Sequence, residues 1–421
     1  MLAMASSPQA ARSLTPGTLG ATHEAMRPLL VRPAACPSRR CLLRGFGAAV
    51  LGGLAAGCAT NPVTGKSEMM LLSEEEELQL GKQAFAQLAW QQGGPLRTDP
   101  ATKTYLEGIV KELHQVSHRP GLPVDFTLQS ASEPNAWAIP GHTAMNRGLL
   151  QHLESEAQFA FVMGHEMGHV SARHSAARQS RATLGNAGVG ILGAASEVMG
   201  LGAVGGLAVG AAGAGTQLLL LSFDRDQELQ ADQLGALYMA RAGYDPRQAV
   251  RSHEVLNRAI DAHLANLGKR REDPSAMSAI LSTHPRHEER VTELQTYIKT
   301  LPPTEVRIEG DGLHADRWFR QTDPVRRLAP AYARYDRALL AFEQAAQADQ
   351  QKQPAVVRQK LTESQRELEA AIQLADQAQF ATLQGYLHAV QGRKGEARSA
   401  FNRAVTLFPG YQPAIRALAR I

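Results

Sequence analysis

The chain has 421 residues with 44% apolar and 20% charged content, enough for a sizeable core and for two folded units at roughly 100–200 residues each. Its formal charge of +4 comes from one end: residues 1–57 hold six arginines against a single acid, Glu24, and carry +5, which leaves −1 on the remainder. A near-neutral remainder gives no electrostatic basis for a nucleic-acid partner, and of the cysteines at 36, 41 and 58 only Cys58 lies beyond residue 57, which leaves no disulfide and no cysteine-based catalysis once that segment is removed and Cys58 acylated.

In chain order, residues 1–57 read as an export signal: arginines, an apolar run from Leu42 to Ala56 broken only by Arg44, then small residues leading to Gly57 and Cys58. The run of 15 residues falls short of the roughly 20 that span a bilayer. Leu54-Ala55-Ala56-Gly57-Cys58 resembles a lipobox, so Cys58 is expected to carry lipid, and Ser38 to Arg44 resembles a twin-arginine signal. The long segment before the arginines makes Met26 a candidate start. Residues 58–72 then form the lipidated N-terminus and linker.

Ser73 followed by Glu76 reads as a capping box opening a helix to about Gln91. A second helix is expected over Ala101 to Gln115, a strand over Val124 to Leu128, and extended chain over Asn135 to Met145 with a turn at Pro140-Gly141. Phe159, Val162, Met163, Met167 and Val170 recur at helical intervals and predict one helix from Glu154 to Arg178. Residues 185–221 are rich in glycine and alanine and read as a hairpin beside the site, with a membrane-touching lid as the sharper alternative. Helix resumes near Asp224 and, past Gly243 to Pro246, from Arg247 to Leu267. A linker is expected over 301–330. Residues 331–421 form an all-helical unit in which Gly385, Ala397, Phe401, Ala404 and Pro409 fit a tetratricopeptide spacing. The fold class is therefore mainly α (α+β), with a helical domain and small β-sheet over 73–300 followed by the tetratricopeptide-like unit.

The chemistry lies in His165-Glu166-Met167-Gly168-His169. Histidines at i and i+4 share one helix face and can hold one zinc ion, with the glutamate placed to act on water. The bland alternative, two surface histidines, is weakened by Glu228 to Asp232, which puts two carboxylates on one helix face 59 residues after His169. Glu228 would complete a His2Glu site of one Zn2+ per chain, and Asp232 would orient a ligand histidine. His152, His174, His253 and His263 read as ordinary surface or satisfied residues.

These halves resemble the gluzincin zinc peptidases typified by the CAAX prenyl protease and the membrane heat-shock protease, in particular their periplasmic lipoprotein branch. The likeness runs from Ala59 to Thr300 and rests on Asn61-Pro62-Val63-Thr64-Gly65, Asn135 to Gly141, His165 to His169, Arg225 to Asp232, and Ser282 to Pro285 with Arg290. It implies a zincin-type metalloendopeptidase domain over 73–300, with His165, His169 and Glu228 as ligands, Glu166 as general base, and Asp232, His284 and Arg290 as further catalytic residues. It also implies an edge strand over Asn135 to Met145, with Asn135, Ala136 and Trp137 binding substrate. The expected substrates are misfolded or misassembled envelope proteins, with envelope assembly machinery docking on the C-terminal helices and lipid on Cys58 holding the chain to the periplasmic face, the outer membrane before the inner. A latent-site chaperone or assembly scaffold is the alternative, with His284 capping the metal; a lipid-binding protein using 185–221 is a third.

Overall fold

The structure is a computed structural model that describes residues 58–183, 223–273 and 288–421. The expected signal at 1–57, the Gly/Ala-rich stretch and His284 lie outside the described residues.

Over the described residues the fold is mainly α with two small sheets. Strands β1 (Cys58–Thr60) and β2 (Ser67–Met69) form an antiparallel hairpin. Asn61 closes its loop: Oδ1 accepts from the amides of Val63 and Thr64, and Nδ2 donates to the Ala172 carbonyl at 3.2 Å. The hairpin is thus tied to the residue just past the motif helix. Helix α1 (Glu74–Gln91) starts on the Ser73/Glu76 capping box, and α2 (Pro100–Gln115) on Asp99, whose side chain accepts from the Thr102 amide. Strands β3 (Val124–Gln129), β4 (Ala136–Ile139) and β5 (Gly141–Asn146) make a sheet of order β3-β5-β4, parallel on one side of β5 and antiparallel on the other. The extended stretch read as one edge strand is therefore two strands. Gly141, at φ 93°, turns the chain, leaving β4 at the edge and β5 in the centre.

After the single turn α3 (Arg147–Leu150), α4 (Glu156–Ser171) carries the histidine motif. The single helix expected to Arg178 is broken: Arg173 sits at φ 57°, and helix restarts over 174–183. A buried ion cluster holds this break, because Glu77 of α1 pairs with Arg173 at 3.2 Å and with Arg119 at 3.1 Å. Helices α5 (Arg225–Arg241), α6 (Gln248–Asn266) and α7 (Glu288–Thr300) complete the surroundings of the site.

The stretch expected as a linker is built in instead. Helix α8 (Ala315–Arg326) drives Trp318 into the core at 0% exposure, its Nε1 donating to the Leu153 carbonyl. Helices α9 (Ala329–Gln350) and α10 (Pro354–Leu374) pair, as do α11 (Ala378–Val390) and α12 (Lys394–Leu407), with α13 (Gln412–Leu418) last. Gly385 leaves the space that the Phe401 ring fills: a Cβ there would meet the ring at 2.4 Å. One hydrophobic cluster runs from Leu106 and Phe159 through Trp318 to Tyr332, Leu368 and Phe380. Among the described residues no helix is long and apolar enough to cross a membrane.

Candidate metal centre

Two helices build the site, and small residues let them approach. Gly164 and Gly168 of α4 face Ala231 and Gly235 of α5. A Cβ on Gly235 would lie 2.9 Å from the His165 amide nitrogen, and one on Gly168 3.2 Å from the Ala231 Cα. This contact brings α5 close enough for Glu228, one turn inside the helix, to reach both histidines. The α5 start is set by an Asp224/Gln227 capping box, which fixes where that turn falls.

His165, His169 and Glu228 converge in a buried cluster, and their candidate ligand atoms all lie within 4.8 Å of one another. The two Nε2 atoms are 3.1 Å apart, and the Glu228 oxygens are 3.4 Å from His169 Nε2 and 3.8 Å from His165 Nε2. Ligand atoms held tetrahedrally about 2.0–2.1 Å from one zinc ion would be separated by about 3.3 Å, so the donor set fits a single tetrahedral metal with one position to spare. Glu166 shares the motif helix and is buried beside it.

Around the cluster, Asp232 gathers three partners. His165 Nδ1 lies 2.9 Å from Oδ1, His253 Nε2 lies 3.5 Å from the same oxygen, and Arg290 donates through Nε and Nη2 at 2.7 and 2.8 Å. Burial pushes the Asp232 carboxyl up, but His253, the His165 hydrogen bond and Arg290 together hold it well below the usual range. It is therefore an ionised acceptor, and His165 Nδ1 carries the proton, leaving the Nε2 lone pair toward the cluster. The third Arg290 nitrogen, Nη1, sits 2.6 Å from Glu228 Oε2. The guanidinium expected among the catalytic residues is thus directed at the two buried carboxylates of α5.

On the other side, His169 stacks on Phe223 with ring centroids 3.7 Å apart, and Arg178 lies over that ring at 4.4 Å. His169 Nδ1 is 2.9 Å from His174 Nδ1, and His174 Nε2 is 2.9 Å from Gln230 Oε1. Burial pushes His169 well below the ordinary histidine range and His174 down to about 4. Of the histidines read as ordinary surface or satisfied residues, His174 contacts the cluster residue His169 and His253 lies beside Asp232, so both belong to the surroundings of the site. Phe223 was missed as well; its position just ahead of the Asp224 cap was the available signal.

The motif helix packs against β4. That strand pairs only with β5 among the described residues, where its other edge carries no strand. Ala136 and Trp137 lie on it in register with Met145 and Ala144. Asn135 just precedes it and accepts from the Asn146 amide at 2.9 Å. Trp137 packs by Phe85 and donates from Nε1 to Gln129.

Residues 100–298 match the family model of peptidase family M48. The beta-barrel assembly-enhancing protease of Escherichia coli (strain K12) is 29% identical over 260 residues, 60% of this chain and 50% of that protein. The mitochondrial metalloendopeptidase OMA1 of Schizosaccharomyces pombe is 27% identical over 259 residues, 61% of this chain and 70% of its own length. The Arabidopsis thaliana protein of the same name is 30% identical over 220 residues, covering 52% and 41%. The chain spans about half the length of the bacterial relatives it matches.

Proposed function

We propose that this chain, whose residues 100–298 match the model of peptidase family M48, is a zinc-dependent metalloendopeptidase that hydrolyses misfolded or misassembled cell-envelope proteins. The observation that carries this reading is the buried convergence of His165, His169 and Glu228 beside Glu166 of the same helix.

In this reading those three residues hold one Zn2+ per chain. When bound, the ion supplies Lewis acidity and makes water acidic enough to give up a proton near pH ~7. The Glu166 carboxylate would take that proton as the water oxygen bonds to the scissile carbonyl carbon, and would return it to the leaving amine nitrogen as the C–N bond breaks, giving a carboxylate and an amine. Asp232 keeps the His165 ring oriented through its Nδ1 proton, and Arg290 balances the charge of Asp232 and Glu228. His284 completes the catalytic group as an oxyanion donor. An extended substrate adds to the edge of β4 away from β5 along Asn135, Ala136 and Trp137, a mode that reads backbone and tolerates many sequences.

Envelope substrates are supported by the names of the bacterial relatives, beta-barrel assembly-enhancing proteases. Cys58, exposed at the start of β1, is the proposed lipid site, holding the protein to the periplasmic face of the outer membrane. The helices over 331–421 are proposed to dock envelope assembly machinery, a role supported by the large apolar side chains they leave exposed, Leu374, Tyr386, Val390 and Ile415 among them.

The test is casein cleavage by the purified mature chain, beside a Glu166→Gln variant and a chelator-treated sample, with zinc content determined on each. Cleavage confined to the untreated protein, with zinc retained in the variant, is the expected result. A wild type without zinc, or cleavage that persists in Glu166→Gln, would sink the reading.

A further inference from the structure

We propose that His174 and Gln230 are positioning residues that set the tautomer of His169, so that its Nε2 lone pair faces the metal site. The inference rests on the zinc reading above and concerns how this chain prepares one ligand.

The hydrogen-bond chain has one direction. Gln230 Oε1 can only accept, so the proton on His174 sits at Nε2, 2.9 Å away. A neutral His174 ring then has an acceptor at Nδ1. That atom lies 2.9 Å from His169 Nδ1, which must donate. His169 Nε2 is left with a lone pair, 3.1 Å from His165 Nε2 and 3.4 Å from a Glu228 oxygen. Reversing the chain, with an amide N–H given to His174, would put a proton on His169 Nε2 and spoil the ligand. The order of groups therefore decides whether the site can take a cation.

The two ligand histidines are oriented by different means, and charge explains why. His165 is held by the carboxylate of Asp232, which Arg290 neutralises in part. Glu228, Asp232 and Glu166 are all buried at the site. A further carboxylate behind His169 would add another negative charge where burial disfavours it. An imidazole leading to a neutral amide gives the same orientation without that charge. The contacts also restrict the ring: His169 is stacked on Phe223 on one face, so its rotation is limited and the Nδ1 partner is fixed.

The proposal separates from a packing role by a near-isosteric pair. Asn at 174 can offer an oxygen close to the position of the imidazole Nδ1, whereas Leu has the same bulk and no acceptor. Zinc affinity of wild type, His174→Asn and His174→Leu is measured by competition with a chromophoric chelator. We expect Asn to stay within a few-fold of wild type and Leu to lose about 10–100-fold, the range typical of partners behind a metal ligand. In the zinc-free proteins, two-bond 1H–15N imidazole spectra should show His169 protonated at Nδ1 in wild type and Asn, with that preference lost in Leu. Should Leu fail to fold, Gln230→Leu serves in its place, with the same spectral change and a smaller loss of affinity expected. Equal zinc affinity in Asn and Leu, or a His169 already protonated at Nε2 in wild type, would overturn the proposal while leaving the zinc reading intact. Absence of zinc binding in wild type would instead bring down the zinc reading and this inference together.

Discussion

Arg290 illustrates how much of the site depends on a single side chain. It is buried at 6% exposure and satisfies Asp232 through two nitrogens and Glu228 through the third. Burial opposes its charge, yet Asp232, Glu228 and Glu166 raise its affinity for the proton overall. Arg290→Met would keep much of the volume and leave two buried carboxylates without their cation. We predict that the zinc-free variant is less stable by about 3–5 kcal/mol, the usual consequence of removing one partner of a buried pair, measured by urea denaturation. A loss below about 1 kcal/mol would mean that Arg290 does not compensate these carboxylates. At this scale the sequence was only half legible. The residues at the ends of the constellation followed from the i, i+4 pattern, because both histidines had to share a helix face. His174 and His253 could not be placed that way, since their partners, Gln230 and Asp232, come from a different helix and only packing brings them within reach.

At the scale of elements, the site is a property of one helix pair. Gly164, Gly168, Ala231 and Gly235 line the contact, and a Cβ on Gly235 would meet backbone atoms at 2.9 to 3.1 Å, which a side-chain rotation cannot relieve. Gly235→Ala should therefore push α5 away from α4, destabilise the protein by about 1–3 kcal/mol as overpacking does, and weaken zinc binding because Glu228 moves with its helix. Gly108, in α2, has nothing within 4 Å of its would-be Cβ. There the same substitution should stabilise by up to ~1 kcal/mol through helix propensity alone. Thermal unfolding and zinc titration of both variants check the contrast, and a Gly235→Ala protein as stable as wild type would show that the helices have slack. Element starts were readable because caps are local: Ser73 with Glu76 and Asp224 with Gln227 sit within one turn of what they cap. The break at Arg173 was not, because it is held by Glu77, 96 residues away in sequence. Two glycines four apart on the motif helix, matched by Ala231 and Gly235, were the unread signal of a close helix pair.

At the scale of the molecule, the C-terminal helices are joined to the rest of the chain through buried polar groups as well as apolar ones. Arg147, at 1% exposure, lies 3.9 Å over the Tyr332 ring and donates to Ser132, whose hydroxyl donates in turn to Asp336 of α9 at 2.7 Å. Trp318 was the sequence's indication that 301–330 is no free linker, for a tryptophan in a polar stretch is seldom left in solvent. The joint also carries a pH dependence. Burial pushes the Asp336 carboxyl up to about 6, against the opposing pull of Arg147, the Ser132 hydrogen bond and Arg337. Its unfolded value is near ~3.9, so the folded chain holds the proton more tightly. Stability from this group is complete below pH ~4 and is lost as pH rises through about 6. The carboxyl is only partly exposed, and solvent screening brings the effect to about 2 kcal/mol. Asp336→Asn abolishes the titration while keeping an acceptor for Ser132. Relative to that variant, wild type should therefore lose about 2 kcal/mol between pH 4 and pH 7, read from denaturant unfolding at both values. Parallel stability profiles for the two proteins would show that Asp336 is ionised throughout, paired with Arg147 strongly enough to offset its burial, and the joint would then be a fixed ion contact with no response to pH.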